Sequence, residues 1–350
     1  MNSQNDSALQ IPRSGLAQNL EIPLSLPGIL TSHIDALMNK FADIESRLTN
    51  STVDNFVLHQ EMTDALLNMS YACKEYEDSF AHSPEVIVRA RIAFRAITDK
   101  YFSKSYFLKR ARTWPQGYQG DYLTLEGVYR NTPLSTGLGY FLDLDFLRTT
   151  LGNAVRERIV TLTDILSSSL KQYVRPSILN IACGSCRELP GLSQNIMDVD
   201  GHITCIDHDE AALDFSMRRL VSTPLDPQHA FFKKYNAVKM ISYDRNMKEF
   251  GPQDIIYSAG FFDYLNDETL IRLLNAVYRM LKPGGTLIAP FKDANRYRTQ
   301  EYHWFVDWTG FLQRKPEDVF SLLEKAGIPM SKCEMSRDKT GVILFIVARA

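Results

Sequence analysis

Ile178-Leu179-Asn180-Ile181-Ala182-Cys183-Gly184-Ser185-Cys186 is a short apolar run that ends in a turn of small residues. The run has the length of a buried strand, and small side chains at its end let backbone come close to a ligand. Downstream, His202-Ile203-Thr204-Cys205-Ile206 is a second short apolar run, closed by Asp207, 23 residues after Gly184. An acidic side chain at the end of the strand after the turn can accept hydrogen bonds from both hydroxyls of a ribose. The Gly-x-Gly-x-x-Gly pattern of dinucleotide enzymes is absent, which argues against a nicotinamide dinucleotide as the nucleoside.

The same alternation continues outward. Further strands are predicted at Asp254 to Ser258, Thr286 to Ala289, Cys333 to Ser336 and Val342 to Ala348, the last two forming a hairpin around Lys339-Thr340-Gly341. Between the third and fourth runs, Leu270, Leu273, Leu274, Val277 and Leu281 repeat at helical spacing; this helix starts after Asn266-Asp267 and stops at Pro283-Gly284-Gly285. Strands separated by helices imply a mostly parallel sheet covered on both faces, and the hairpin adds an antiparallel edge. Upstream the text is helical: Ile34, Leu37, Met38, Phe41 and Ile44 form one stripe, and Val88, Ile92 and Ala96 another. Residues 1–28, with three prolines among polar residues, read as an extended arm; 29–174 read as a helical domain that lids the sheet, and 175–350 as the sheet domain. Within the helical half, Trp114-Pro115-Gln116-Gly117-Tyr118-Gln119-Gly120-Asp121-Tyr122 must be a shaped loop, because one proline and two glycines break a helix.

The 350 residues are 45% hydrophobic, ample for a buried core, and 39 basic against 41 acidic side chains give a net charge of -2. That balance gives no footprint for nucleic acid or an anionic membrane and favours a small-molecule partner. No apolar run reaches the roughly 18 to 20 residues of a membrane span, and Met1 to Gln10 is polar, so a cytoplasmic location is the default expectation. Five cysteines in a chain of this size read as free thiols. Cys183 and Cys186 have the spacing of a redox or zinc pair but lie inside the turn without a second ligand pair, so packing is expected and no metal site is assigned.

Through the first turn, Asp207 and Leu281-Lys282-Pro283-Gly284-Gly285 before a strand, residues 150 to 350 resemble the class I methyltransferases that use S-adenosyl-L-methionine (SAM). The family's acidic-x-Gly-x-Gly-x-Gly pattern is altered: Asn180 stands at the acidic position, Ala182 at the first glycine and Cys186 at the third, with Gly184 kept. The resemblance implies a seven-stranded Rossmann-like methyltransferase sheet with SAM as cofactor. It implies that the turn with Ala182, Cys183 and Gly184 holds the methionine part, Asp207 the ribose, Asp244 to Met247, Asn246 and Met247 among them, the adenine edge, and Ser258-Ala259-Gly260 the wall of the pocket; Glu188 is a candidate to hold the cofactor's amino group, and His208, next to Asp207, touches the ribose or lies on the surface. The segments Pro115 to Tyr129, Cys183 to Glu188, Tyr257 to Leu265 and Asp307 to Arg314 are similar to a bacterial group that includes the enzyme making 3-hydroxypalmitate methyl ester and to enzymes that cyclise SAM to azetidine-2-carboxylate.

Two reactions therefore stay open, both belonging to small-molecule, secondary or signalling metabolism: methyl transfer to a carboxyl or hydroxyl group, or intramolecular displacement within SAM that releases methylthioadenosine. A third reading, a catalytically silent SAM-binding protein, follows from the loss of two glycines in the turn. A sulfonium is already activated, so an enzyme gains most by positioning the nucleophile, and aromatic faces stabilise the cation by about 0.5 to 2 kcal/mol each. Tyr118, Asp121 and Tyr264 are the candidate catalytic side chains; core packing is the competing reading for Phe261 and Phe262, and a tight helix connection for Asp121. Asn153, Arg156 and Arg158, in the helix that leads into the first strand, face the cofactor or belong to an exposed charged face.

Overall fold

The structure, a computed structural model, describes residues 28–49 and 54–350; of the arm expected over residues 1–28, all but Gly28 lies outside the described residues. The chain forms two compact units. One holds the described residues up to Gly152 together with Arg298–Gly310, the other Asn153–Tyr297 and Phe311–Ala350.

The first unit is helical: α1 (Gly28–Thr49), α2 (Asn55–Ser79), α3 (Pro84–Phe102), α4 (Tyr106–Thr113), α5 (Tyr122–Arg130) and α6 (Leu138–Arg148). In α1 the expected stripe is the buried one, with Ile34, Leu37, Phe41 and Ile44 at most 2% exposed. In α3 the expected face is displaced: Ala96 is exposed, and Ala90, Ala93, Phe94, Thr98 and Tyr101 are buried. The aromatic residues fix that face because they bury more area than Val88 or Ala96 can. Phe94 packs edge-on to Trp304 and stacks on Phe305, two residues of the π-helical turn Glu301–Phe305 that the late segment returns to this unit.

The second unit carries α7 (Thr150–Leu170) from Asn153 onward and a seven-stranded sheet in the order β3-β2-β1-β4-β5-β7-β6. Its strands are β1 (Ser177–Ile181), β2 (His202–Asp207), β3 (Ala230–Lys234), β4 (Gln253–Tyr257), β5 (Leu281–Lys292), β6 (Cys333–Arg337) and β7 (Ile343–Arg349). The first five pair in parallel, while β7 pairs antiparallel with both β5 and β6. The mostly parallel sheet ending in a hairpin is thus as expected, with β3 as the strand the sequence did not disclose. β3 is an edge strand, half-exposed and ending in two lysines, so it lacks the apolar run of its neighbours. β5 is longer than expected, because Lys282-Pro283-Gly284-Gly285 bulges within it and shifts its register against β4.

Helices α8 (Leu189–Asp198), α9 (Glu210–Leu220), α10 (Tyr243–Phe250), α11 (Asp267–Arg279) and α12 (Pro316–Lys325) accompany the sheet. Leu179, Ile181, Ile256, Leu273, Leu274, Val277, Leu287 and Ile346 share one core, all at most 1% exposed. The interior strands are continuously apolar because both of their faces are covered. Strand order reverses at β1, which lies between β2 and β4, so a crevice opens at the carboxyl ends of these strands. No described helix is long and apolar enough to cross a membrane.

Candidate functional site

The turn after β1 lies at this switch point. Ala182, Gly184 and Cys186 all have left-handed backbone, at φ 52°, 55° and 45°. Alternate left-handed residues are the reason a turn of this kind uses glycine, and here two non-glycine residues hold the same shape. Left-handed alanine is strained by about 1–2 kcal/mol. Ala182→Gly is accordingly expected to raise unfolding stability by about 0.5 kcal/mol or more after the entropic cost of glycine, read as a higher urea midpoint; a lower midpoint would refute the strain.

Asp207, 5% exposed at the end of β2, anchors the turn. Its Oδ2 accepts the Gly184 N–H at 2.8 Å and its Oδ1 the Asp209 N–H at 2.9 Å. A carboxylate offers about four lone-pair sites, so Oδ2 keeps capacity for a ligand hydroxyl, whereas Oδ1 takes one only in place of its second donor, His208. His208 Nδ1 lies 3.3 Å from Asp207 Oδ1, and that hydrogen bond raises the imidazole pKa above its ordinary value. The turn is tied from α9 as well, by Ser216 Oγ donating to the Gly184 carbonyl at 3.0 Å and Arg219 Nη1 to the Ser185 carbonyl at 2.9 Å.

A buried carboxyl lies beneath the turn. Asn180 Nδ2 and the Tyr257 hydroxyl both donate to Glu188 Oε1, each at 2.8 Å, and all three side chains are buried. A buried carboxyl thus lies beside Asn180, which itself carries an amide. Burial, and then the neighbouring Cys186, push the Glu188 pKa up to about 8. A carboxyl raised in the native state favours folding fully below the unfolded pKa near 4.5 and loses that contribution as pH climbs to about 8. Glu188→Gln keeps the acceptor oxygen, so it is expected to match the wild type in acid and to exceed it in stability above pH 8, measured by denaturant midpoints across pH; parallel profiles would show that folding does not raise the Glu188 pKa.

Beside Asp207, the segment after β3 is Tyr235-Asn236-Ala237, and the Tyr235 N–H donates to the Asp207 carbonyl at 2.7 Å. Asn246 and Met247 lie on α10: Asn246 is fully buried with its amide on the Met240 carbonyl at 2.7 Å, and Met247 packs against the core. Asn236 and Ala237 are therefore the residues at the sheet end that the sequence missed, since they could be found only by seeing β3.

At the end of β4, Ser258 is buried and its Oγ accepts the Phe261 N–H at 3.3 Å, while Ala259 and Gly260 are half-buried. Arg158 of α7 is 4% exposed, and its Nη1 lies 2.4 Å from where a β-carbon on Gly260 would stand. No carboxylate pairs with this guanidinium among the described residues, and its Nε has no hydrogen-bond partner. Nearby, Lys292 at the end of β5 forms a buried ion pair with Asp263 at 2.5 Å. Burial lowers the lysine pKa, and the Arg158 charge lowers it further. The Lys292 ammonium sits 4.4 Å from the Phe311 ring centre and 5.8 Å from that of Tyr264. Two buried cations thus lie near one another with a single carboxylate, which Lys292 takes, and such an excess calls for an anion. Of the two sequence alternatives for Arg158, the exposed face is excluded. Phe262 is 1% exposed in the core, as the packing reading had it, whereas Phe261 is partly buried against it.

Tyr118 and Asp121 belong to the helical unit. Asp121 caps α5: its Oδ1 accepts the Leu123 and Thr124 N–H groups and pairs with Arg110 at 2.6 Å, and its Oδ2 accepts from the Thr124 hydroxyl. Gln119 in the same loop is 4% exposed, accepts the Gly310 N–H and keeps an unpartnered amide nitrogen.

Residues 179–287 match the model of a methyltransferase domain family. No curated protein matches the chain. Among solved structures, a possible exported protein from Bordetella parapertussis is 15% identical and superposes with a TM-score of 0.54, covering 91% of this chain and 96% of that one. Magnesium protoporphyrin IX methyltransferase from Synechocystis, with bound SAM, is 11% identical over 57% of this chain and 83% of its own, at a TM-score of 0.41. An N-methyltransferase from Bradyrhizobium japonicum is 15% identical over 55% of this chain and 94% of its own, at 0.37. The first of these shares the fold along nearly the whole chain.

Proposed function

We propose that this chain, a SAM-dependent transferase by its methyltransferase domain at residues 179–287, moves the methyl group of SAM to a carboxyl or hydroxyl oxygen of a small molecule. SAM is its cofactor and supplies a methyl group already activated by the sulfonium. The residues at the switch point fit it. Asp207 takes one ribose hydroxyl on the free lone pair of Oδ2 and the other on Oδ1 in place of His208, the left-handed turn at Ala182 to Cys186 leaves backbone open to the methionine part, and Asn236 and Ala237 border the adenine. Ser258, Ala259 and Gly260 form the wall of the pocket.

The observation that carries the acceptor assignment is the excess buried positive charge of Arg158 and Lys292 over Asp263. A carboxylate-bearing ligand neutralises it, and a carboxylate acceptor arrives already deprotonated, needing position more than a base. Tyr264 and Phe311 give that place aromatic walls. Asp121, with its oxygens engaged in the cap, shapes the loop that presents Tyr118.

The test is incubation with SAM and a panel of aliphatic, aromatic and hydroxy acids, with nucleoside products weighed by mass spectrometry. S-adenosylhomocysteine is expected only when an acid is present; methylthioadenosine from SAM alone, above the spontaneous background, would replace methyl transfer by intramolecular displacement. Arg158→Gln locates the carboxylate. A fall of at least tenfold in affinity for S-adenosylhomocysteine but not for methylthioadenosine, which lacks a carboxylate, places it on the cofactor; a raised acceptor KM alone places it on the acceptor. No change in either would refute the anion site.

A further inference from the structure

The helical unit contains a cavity of about 260 Å³ between α2, α6 and the late segment. It is smaller than the roughly 300 to 1,000 Å³ of pockets for drug-sized ligands, so its occupant is small. Phe102, Phe146 and Phe305 give it apolar walls, and four charged residues line it. Those charges are already matched, two to two. Arg298 pairs with Glu301 at 2.5 Å, Asp145 accepts from the Thr63 hydroxyl at 2.8 Å, and Arg148 lies beside His59 at 3.5 Å.

His59 is the group left over. It is 9% exposed, and its ring stacks on Phe141. A guanidinium only donates, so Nδ1, which faces Arg148, must be the accepting nitrogen and the proton sits on Nε2. Burial lowers the imidazole pKa and the Arg148 charge adds to this, in keeping with the neutral ring. Nε2–H is buried and has no acceptor among the described residues. An orphaned donor in a space lined by aromatic rings is costly until an acceptor oxygen reaches it.

We propose that this cavity is a binding site for a small uncharged molecule with an apolar body and one carbonyl oxygen, held by the His59 Nε2–H. The inference concerns the helical unit and stands independently of the reaction at the sheet. Net charge inside the cavity is balanced, so an ion gains no partner there, whereas a carbonyl gains the one donor that lacks one.

Calorimetric titration of the full chain with 4-phenyl-2-butanone is expected to show binding at least tenfold tighter than butylbenzene, which has the same skeleton without the oxygen. His59→Phe keeps a ring against Phe141 and removes the donor, so it should erase that preference, while His59→Gln, which retains an N–H, should keep part of it. Leu66→Phe fills the cavity and should abolish binding of both compounds, with cooperative melting as the folding control for each variant. Equal affinity for ketone and hydrocarbon, no binding of either, tighter binding of 3-phenylpropionate or 3-phenylpropylamine, or ketone binding that survives Leu66→Phe overturns the assignment.

Discussion

Asp207→Ala is expected to weaken S-adenosylhomocysteine binding by about 3 kcal/mol or more, on the order of 100-fold in Kd by calorimetry. The expectation rests on two losses. The carboxylate provides the acceptors for the ribose hydroxyls, each worth about 1.5–3 kcal/mol when the acceptor is charged. It also holds the Gly184 N–H, without which the turn loses its tie to β2. Asp207→Asn separates the two: its remaining carbonyl oxygen can still accept the Gly184 N–H, so stability should recover more than affinity does. An alanine variant that binds within threefold of the wild type would mean that the ribose lies elsewhere.

Asp263→Ala acts on the fold. It leaves the Lys292 ammonium buried next to the Arg158 guanidinium with no counter-charge, and breaking a buried pair by removing one partner costs about 3–5 kcal/mol. The urea midpoint should fall accordingly. Adding Lys292→Met to that variant removes the stranded charge, so the double variant should regain most of the loss even though it has one interaction fewer. A double variant no more stable than Asp263→Ala would show that the cost came from a cavity and not from charge. Because Asp263 moderates the same positive charge that draws a carboxylate, Asp263→Ala that still folds should bind acidic ligands more tightly, with stronger salt dependence.

Much of the sheet was legible because a doubly covered parallel sheet writes itself locally. β1, β2, β4, β6 and β7 are short apolar or alternating runs punctuated by turn residues, and α11 has agreeing start, period and stop. β3 failed that test because Ala-Phe-Phe-Lys-Lys has no buried face to show and, unlike the other edge strand β6, no hairpin turn ties it to its partner. The error in α3 has a similar source: three residues at a spacing of four mark a helix but do not fix its angle of rotation, which the aromatic side chains set.

By itself the sequence determined what lies within reach of one strand and its turn: the apolar runs, the small-residue loop after β1, and Asp207 at the end of β2. The tertiary structure alone decided what depends on chain segments far apart meeting. Arg158 and Gly260 are separated by about a hundred positions, yet only their contact shows that the arginine is buried and not on an exposed face. Likewise only the convergence of Tyr257 and Asn180 on Glu188 shows that this carboxyl is buried and hydrogen-bonded beside position 180. The reason is physical: periodicity records which side a residue presents to its own element, whereas burial, charge balance and pKa are set by neighbours that sequence order does not specify.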